Sequence, residues 1–227
     1  MVTYKKKINL IIVAHPDDEI IGMGGTLIKK IKNKEEIYIL YVSEGESSRN
    51  YKRQMLLKKK KDRILKAKKA SKFIGFKILD FLDLKDNSLD KYERLQIVKK
   101  IKFYIKKIKP DYVFTHFYDD LNIDHRIVFD ATITASRPYV NKYIKEINLF
   151  EVQSSTSYRI NQFKPNFYID ISKEMKQKIQ AMKIYRNQLK KNPHPLSLEA
   201  IKNLAKYRGN YLATFYAEAF LTFFRKI

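Results

Sequence analysis

The sequence predicts an α/β fold: a doubly wound, mostly parallel sheet flanked by helices, with a less regular C-terminal half. Three observations predict it. Short apolar runs alternate with longer stretches of helical periodicity through the first half of the chain. The early strand candidates are apolar on both faces, as strands covered by helices on both sides are. A chain of 227 residues is long enough to bury one large core.

Each element has its own signal. The run Ile8 to Ala14 reads as the first strand, and Gly22 to Lys32 as the start and body of a helix. In Glu36 to Ser43, Ile37, Ile39 and Tyr41 alternate with Tyr38, Leu40 and Val42, which marks a second strand buried on both faces. Tyr51 to Phe73 is a long basic helix stopped by Gly75, and Phe76 to Leu79 is a short third strand. Tyr92 to Ile108 places Leu95, Val98, Ile101 and Ile105 on one helical face and ends at Pro110. Tyr112 to Thr115 is a fourth strand. This β-α-β-α order implies right-handed crossovers.

Downstream, Asp124 to Ala135 reads as a helix, and Leu149 to Val152 and Phe167 to Ile171 as strands. Ser172 is an N-cap for a helix over Lys173 to Asn187. Leu196 to Tyr207 is a helix closed by Gly209, and the apolar segment Phe215 to Phe224 packs on the core. No repeat, low-complexity linker or break in composition divides residues 1–227, so one domain is expected.

Composition narrows the chemistry. There is no cysteine, which excludes disulfides, thiolate nucleophiles and cysteine metal sites and suits a reducing compartment. The four histidines are His15, His116, His125 and His194, a short supply of imidazole for any metal. No apolar run approaches the roughly 18 residues that span a bilayer. Met1 to Ala14 superficially resembles a secretory signal. Its apolar part is short and acidic residues follow it, so a first strand and a cytoplasmic protein are expected. The net charge is +23, and ten of the 47 basic residues are arginine. The lysines are spread over every helical segment and are densest from Lys58 to Lys61, then Lys66, Lys68, Lys69 and Lys72. No base-stacking aromatics are interleaved there. The run reads as a lysine-coated helix face rather than a specific nucleic-acid site, with attraction to an anionic substrate or surface as the alternative.

The chemistry concentrates where strands end, which is where ligands bind in open α/β sheets. Directly after the first strand come Ala14-His15-Pro16-Asp17-Asp18-Glu19. His15 and Asp18 are metal-ligand types, Asp17 is free to handle protons, and Pro16 stiffens the turn. The fourth strand exits into Thr115-His116-Phe117-Tyr118-Asp119-Asp120-Leu121-Asn122-Ile123-Asp124-His125-Arg126. In the common doubly wound order the first and fourth strands are neighbours, so the two exits share one crevice. Two imidazoles and a carboxylate suit a catalytic zinc with an open position. His125, which opens a helix beside Asp124, is favoured as the third ligand, and His116 at the strand end is its rival.

These two stretches resemble the signatures of the zinc-dependent N-deacetylase family that includes phosphatidylinositol-glycan class L and LmbE-like proteins. Further likenesses lie at Arg63 with Ala67, Ala70 and Ile74-Gly75, at Glu151 to Thr156, at Pro193 to Ser197, at Arg208-Gly209 and at Ala217 to Phe220. The resemblance implies a Rossmann-like fold and removal of an acetyl group from an N-acetylated, GlcNAc-like amino sugar, free or joined to an aglycone. By position it implies His15, Asp18 and His125 as ligands of one zinc ion, with ferrous iron able to use the same set, and Asp17 as general base. Asp124 would orient a neighbour or bond to a ligand imidazole.

One position departs from the family pattern. The second signature usually reads His-x-Asp-His, and Asn122 stands in its first place. Asn122 donates a neutral hydrogen bond but carries no proton, so it is expected either to assist the oxyanion neutrally or to leave that task to another group such as His194. Arg63, Arg137 and His194 are candidates for gripping sugar hydroxyls or a substrate phosphate. Glu19 either bonds the turn backbone or touches the ligand sphere. Gly22-Met23-Gly24-Gly25 follows the acidic turn rather than forming it, so helix packing, not dinucleotide binding, is its expected role. A phosphoesterase would need more ligands than these motifs supply. A purely basic binding surface would leave the histidine-bearing turns without a purpose. A homo-oligomer could bury the apolar C-terminal segment.

Overall fold

A computed structural model of the chain describes residues 6–226. Met1 to Lys5, the start of the stretch read as resembling a signal, lie outside the described residues. The strands are Ile8–Val13 (β1), Glu36–Ser43 (β2), Lys77–Leu84 (β3), Tyr112–His116 (β4), Glu146–Phe150 (β5), Phe167–Asp170 (β6) and Ala217–Arg225 (β7). The helices are Asp18–Lys32 (α1), Arg53–Ile74 (α2), Arg94–Ile108 (α3), Ile123–Ser136 (α4), Gln153–Thr156 (α5), Met175–Ile184 (α6) and Leu198–Asn210 (α7). The strands form one sheet in the order β3-β2-β1-β4-β5-β7-β6. Strands β3, β2, β1, β4 and β5 are mutually parallel, and β7 runs antiparallel to both β5 and β6.

Two apolar layers sandwich the sheet. Ile11, Val13, Ile39 and Tyr41 face α1, α2 and α6, whereas Leu10, Ile12, Leu40 and Val42 face α3 and α4. The alternation in β1 and β2 thus feeds two cores at once, as the two-sided patterning requires. Winding reverses between β1 and β4, which pair directly (Asn9↔Tyr112 to Ile11↔Phe114). That adjacency brings the two acidic turns to one edge of the sheet.

Several boundaries differ from the sequence reading. Helix α1 starts at Asp18, four residues earlier than expected, and is interrupted at Met23 (φ −148°). A Cβ on Gly22 would come 2.2 Å from the Phe150 ring, so the glycines let α1 pack close to the sheet. Strand β3 extends to Leu84 rather than Leu79 because Asp80 and Asp83 interrupt its apolar pattern without ending its pairing. Strand β5 is centred earlier than expected, and Val152 opens the short α5. Ser172 does not cap α6: its hydroxyl bonds Asp170, and the helix begins three residues later. Gly209 lies inside α7, where a Cβ would meet the Thr214 carbonyl oxygen at 2.6 Å. The C-terminal apolar segment enters the sheet as β7 between β5 and β6.

Candidate metal centre and catalytic site

The turn after β1 is held by its own polar groups. The His15 amide donates to Asp18 Oδ2 (2.8 Å), and the Asp17 amide donates to Glu19 Oε2 (2.9 Å). Asp17 adopts φ 134°, a conformation that L side chains rarely take and that costs about 1–3 kcal/mol. The strained residue is a buried acid between two groups of metal-ligand type. Glu19 is fully buried and accepts from the Tyr185 hydroxyl (2.8 Å), and burial pushes its carboxyl up to about 7.

The β4 exit meets this turn. His15, Asp18 and His125 each bring one ligand atom within 4.8 Å of the others. Asp18 Oδ2 lies 3.3 Å from His15 Nδ1 and 3.4 Å from His125 Nε2. Both ring nitrogens of His125 are buried without a well-directed hydrogen bond, although carboxylates stand close to each. A cation between these three groups would satisfy Nε2, with Nδ1 left facing Asp120, so the donor set fits a divalent metal of the zinc type.

Charge tells the same story. Burial alone would lower the pKa of His15, but Asp124, Asp18 and Asp86 outweigh it and hold the ring well above the usual histidine range. Burial likewise works against a protonated His125, yet Asp18 and Asp120 push it up to about 9. Asp18 is held well below the carboxylate range, because His125 and His15 outweigh the burial that would raise it. The buried acids here call for positive charge, and the two imidazoles supply it when no metal does.

His116 borders this triad, its Nε2 3.5 Å from Asp18 Oδ2. Its Nε2 accepts the Ala14 amide hydrogen (2.8 Å), which commits that nitrogen, and the ring stacks on His125 at 3.9 Å between centroids. Burial and the neighbouring His125 depress its pKa well below the ordinary value. It is a neutral spacer that ties β1 to β4 and backs the His125 ring.

The other residues singled out by sequence fall into two groups. Asp124 is fully buried, accepts from the Asn87 and Leu89 amides, and places Oδ2 3.1 Å from His15 Nε2. It orients that imidazole. Asn122 is the N-cap of α4, its Oδ1 accepting the Asp124 amide hydrogen at 2.9 Å. Its oxygen is committed to capping the helix, which leaves the Nδ2 amide as the only donor it could offer.

Arg63, expected to grip substrate, is 4 % exposed and turned inward. Its guanidinium bonds Asp17 Oδ1 at 2.8 Å and lies 3.3 Å from Glu46 Oε1. Burial raises the Asp17 carboxyl to about 6 against the pull of that cation. Arg137 is not brought to the site: it is exposed at the far end of α4, about 20 Å along the helix from His125, over the Tyr139 ring. His194 is exposed in a turn where its Nδ1 accepts the Leu196 amide hydrogen, and it touches none of the clustered groups.

Sequence reasoning missed Asp86, Asp120 and Glu46. Asp86 Oδ1 lies 3.0 Å from His15 Nε2, and Asp120 Oδ1 lies 3.2 Å from His125 Nδ1 while Thr156 donates to its other oxygen. Asp120 stood in the β4 exit and was open to the same strand-end argument. Asp86 was hidden because β3 was expected to end seven residues before it.

Comparison with known proteins agrees with this geometry. The family model described as PIG-L, GlcNAc-PI de-N-acetylase, matches residues 10–136. The chain is 28% identical to a diacetylchitobiose deacetylase of Thermococcus kodakarensis, over 92% of this chain and 80% of the relative. Among solved structures, N,N'-diacetylchitobiose deacetylase from Pyrococcus horikoshii, complexed with its inhibitor MPG, superposes with a TM-score of 0.76 at 24% identity, covering 95% of this chain and 83% of that one. The 4-carboxy-2-hydroxymuconate hydratase GalB from Pseudomonas putida superposes with a TM-score of 0.79 at 18% identity, covering 97% and 98%. At these identities the two superpositions speak for a shared fold.

Proposed function

The chain belongs to the PIG-L family, and from that premise we propose that it is an N-deacetylase. It hydrolyses the acetamide of a GlcNAc-like amino sugar, free or joined to an aglycone that can bear a phosphate. The observation that carries the reading is the meeting of His15, Asp18 and His125 around one point, with the strained Asp17 beside them.

An amide is a poor electrophile, so both water and carbonyl need help. His15, Asp18 and His125 would hold one divalent ion, zinc or ferrous iron, which supplies Lewis-acid polarisation of the carbonyl and makes water more acidic. Asp17 takes a proton from the attacking water. The C–N bond then breaks, and Asp17 returns that proton to the departing nitrogen, so that acetate and a free amine leave. A positioned acid/base of this kind contributes about a hundred- to ten-thousandfold. Arg63 keeps Asp17 aimed and ionised, and Asp124 and Asp86 fix the His15 ring. Asn122 carries no proton and caps its helix, so Asp17 serves both proton transfers.

The test is incubation of zinc- and iron-loaded protein with free, nucleotide-linked and lipid-linked N-acetylhexosamines. Release of acetate with an equal amount of new amine is expected. Phosphate release from the same panel, or turnover of an unsaturated hydroxy acid with no amide cleavage, would replace this reading.

A further inference from the structure

The deacetylase reading leaves the basic charge unused, and α2 shows where it is organised. The helix is 22 residues, about 33 Å long. Its inner side is formed by Arg63, Lys66, Ala67, Ala70 and Ile74, so most of its large apolar side chains are not in the core. Leu57 and Leu65 are instead about half exposed, at 51% and 50%. They lie eight residues apart on the outer face, among the exposed lysines Lys58, Lys61, Lys68 and Lys72. Those four lysines make no ion pair among the described residues. The one acid of the helix, Asp62, is bonded to Lys66. A leucine ringed by unpaired lysines on a solvent face does nothing for the fold.

We propose that the outer face of α2 docks the protein on an anionic lipid bilayer. Charge complementarity brings it there: each lysine near such a surface contributes about 1 kcal/mol, and four stand on one face. The leucines choose the partner. They gain burial in the acyl boundary, as apolar residues of interfacial helices do, and gain nothing from a hydrated polyanion such as RNA. The surface is also lysine rather than arginine, which suits headgroup attraction better than bidentate base or phosphate recognition. Helix α6 packs beside α2, and the groove between α6 and α7 is lined by four more lysines. Since Arg63 reaches Asp17 from the inner side of α2, the docking face lies across that helix from the catalytic acid.

Co-sedimentation of the full chain with vesicles of phosphatidylcholine alone, and of phosphatidylcholine with phosphatidylglycerol, tests this. Binding to the anionic vesicles only is expected. K61Q/K68Q should weaken it about 30-fold, and L57S/L65S about tenfold. Both variants should keep wild-type thermal unfolding and wild-type hydrolysis of a soluble N-acetyl sugar. Absence of binding to anionic vesicles would overturn the proposal. So would binding that L57S/L65S leaves intact and that single-stranded RNA competes away, which would mark a general polyanion surface. Neither result depends on which bond the enzyme cuts.

Discussion

Replacing Arg63 by methionine keeps most of the side-chain volume and removes the cation 2.8 Å from Asp17 Oδ1. Both partners are buried, so solvent does not screen the loss. Removing one member of a buried ion pair costs about 3–5 kcal/mol, and protonation of Asp17 relieves much of it. Burial already holds that carboxyl at about 6, with Arg63 pulling down. A further rise of about 2, to about 8, is worth about 2.7 kcal/mol and lies inside that cost. The sign is fixed, since a general base works only when ionised. The acid limb of kcat/KM therefore moves up by about 2 pH units, with the loss largest below the wild-type limb and gone above the variant's. A bound cation lowers both profiles together, so the difference between variants is the readout. The assay is kcat/KM for acetamide hydrolysis from about pH 5 to about pH 9 in wild type, Arg63→Met and Arg63→Lys, with the lysine variant falling between because it keeps the charge and loses the fork. A loss that is flat with pH and carried by KM would refute the reasoning and return Arg63 to the substrate.

Other perturbations separate the remaining roles. Asp17→Asn should retain metal by elemental analysis while turnover falls about a hundred- to ten-thousandfold, and His15→Ala should lose metal and turnover together. Asp120→Asn removes a carboxylate charge 3.2 Å from His125 Nδ1, and metal affinity measured by competition with a chelator should fall about 10- to 100-fold. Asn122→Ala deletes the α4 cap and should lower stability by about 1 kcal/mol, about 2–4 °C in a thermal melt, while Asn122→Ser largely restores it. Adding zinc to chelator-stripped protein near pH 7 should release protons, because His15 and His125 are protonated in the absence of metal, and titration calorimetry in buffers of different ionisation enthalpy reads that release.

The legible part of the fold was the part whose patterning has a single explanation. β1 and β2 are apolar on alternate residues in both registers, which only a sheet covered on two faces accommodates, and their bounds came within a residue. From those strands and the winding rule, the meeting of His15 and Asp18 with His125 followed without coordinates. Asp80 and Asp83 concealed the length of β3: an acid in a strand reads as its end, whereas Asp80 here accepts from Tyr104 and Asp83 pairs with Lys60. Arg63 was read as a substrate contact, and its partners within the protein were not legible. Only the three-dimensional placement of Asp17 and Glu46 shows why it turns inward. Asn122 carried a cap signal in plain view, a residue of N-cap type before a helix, which the family pattern at that position drew attention away from.

A charge balance explains why so many polar groups share this edge of the sheet. Asp17, Asp18, Asp86, Asp120 and Asp124 are all buried around the two turns, and the one arginine among them is engaged by Asp17 and Glu46. Unpaired buried carboxylates are costly, so the surplus demands cations from somewhere. His15 and His125 answer by taking protons, and each does so against burial that would otherwise strip them. A divalent ion on the same ligands meets the same demand without protonated rings. The acids that stand behind the imidazoles are therefore not spectators to the triad. They set a negative potential that favours a cation, and Asp17, whose carboxyl burial raises to about 6, is the group the proposed mechanism uses to exchange a proton.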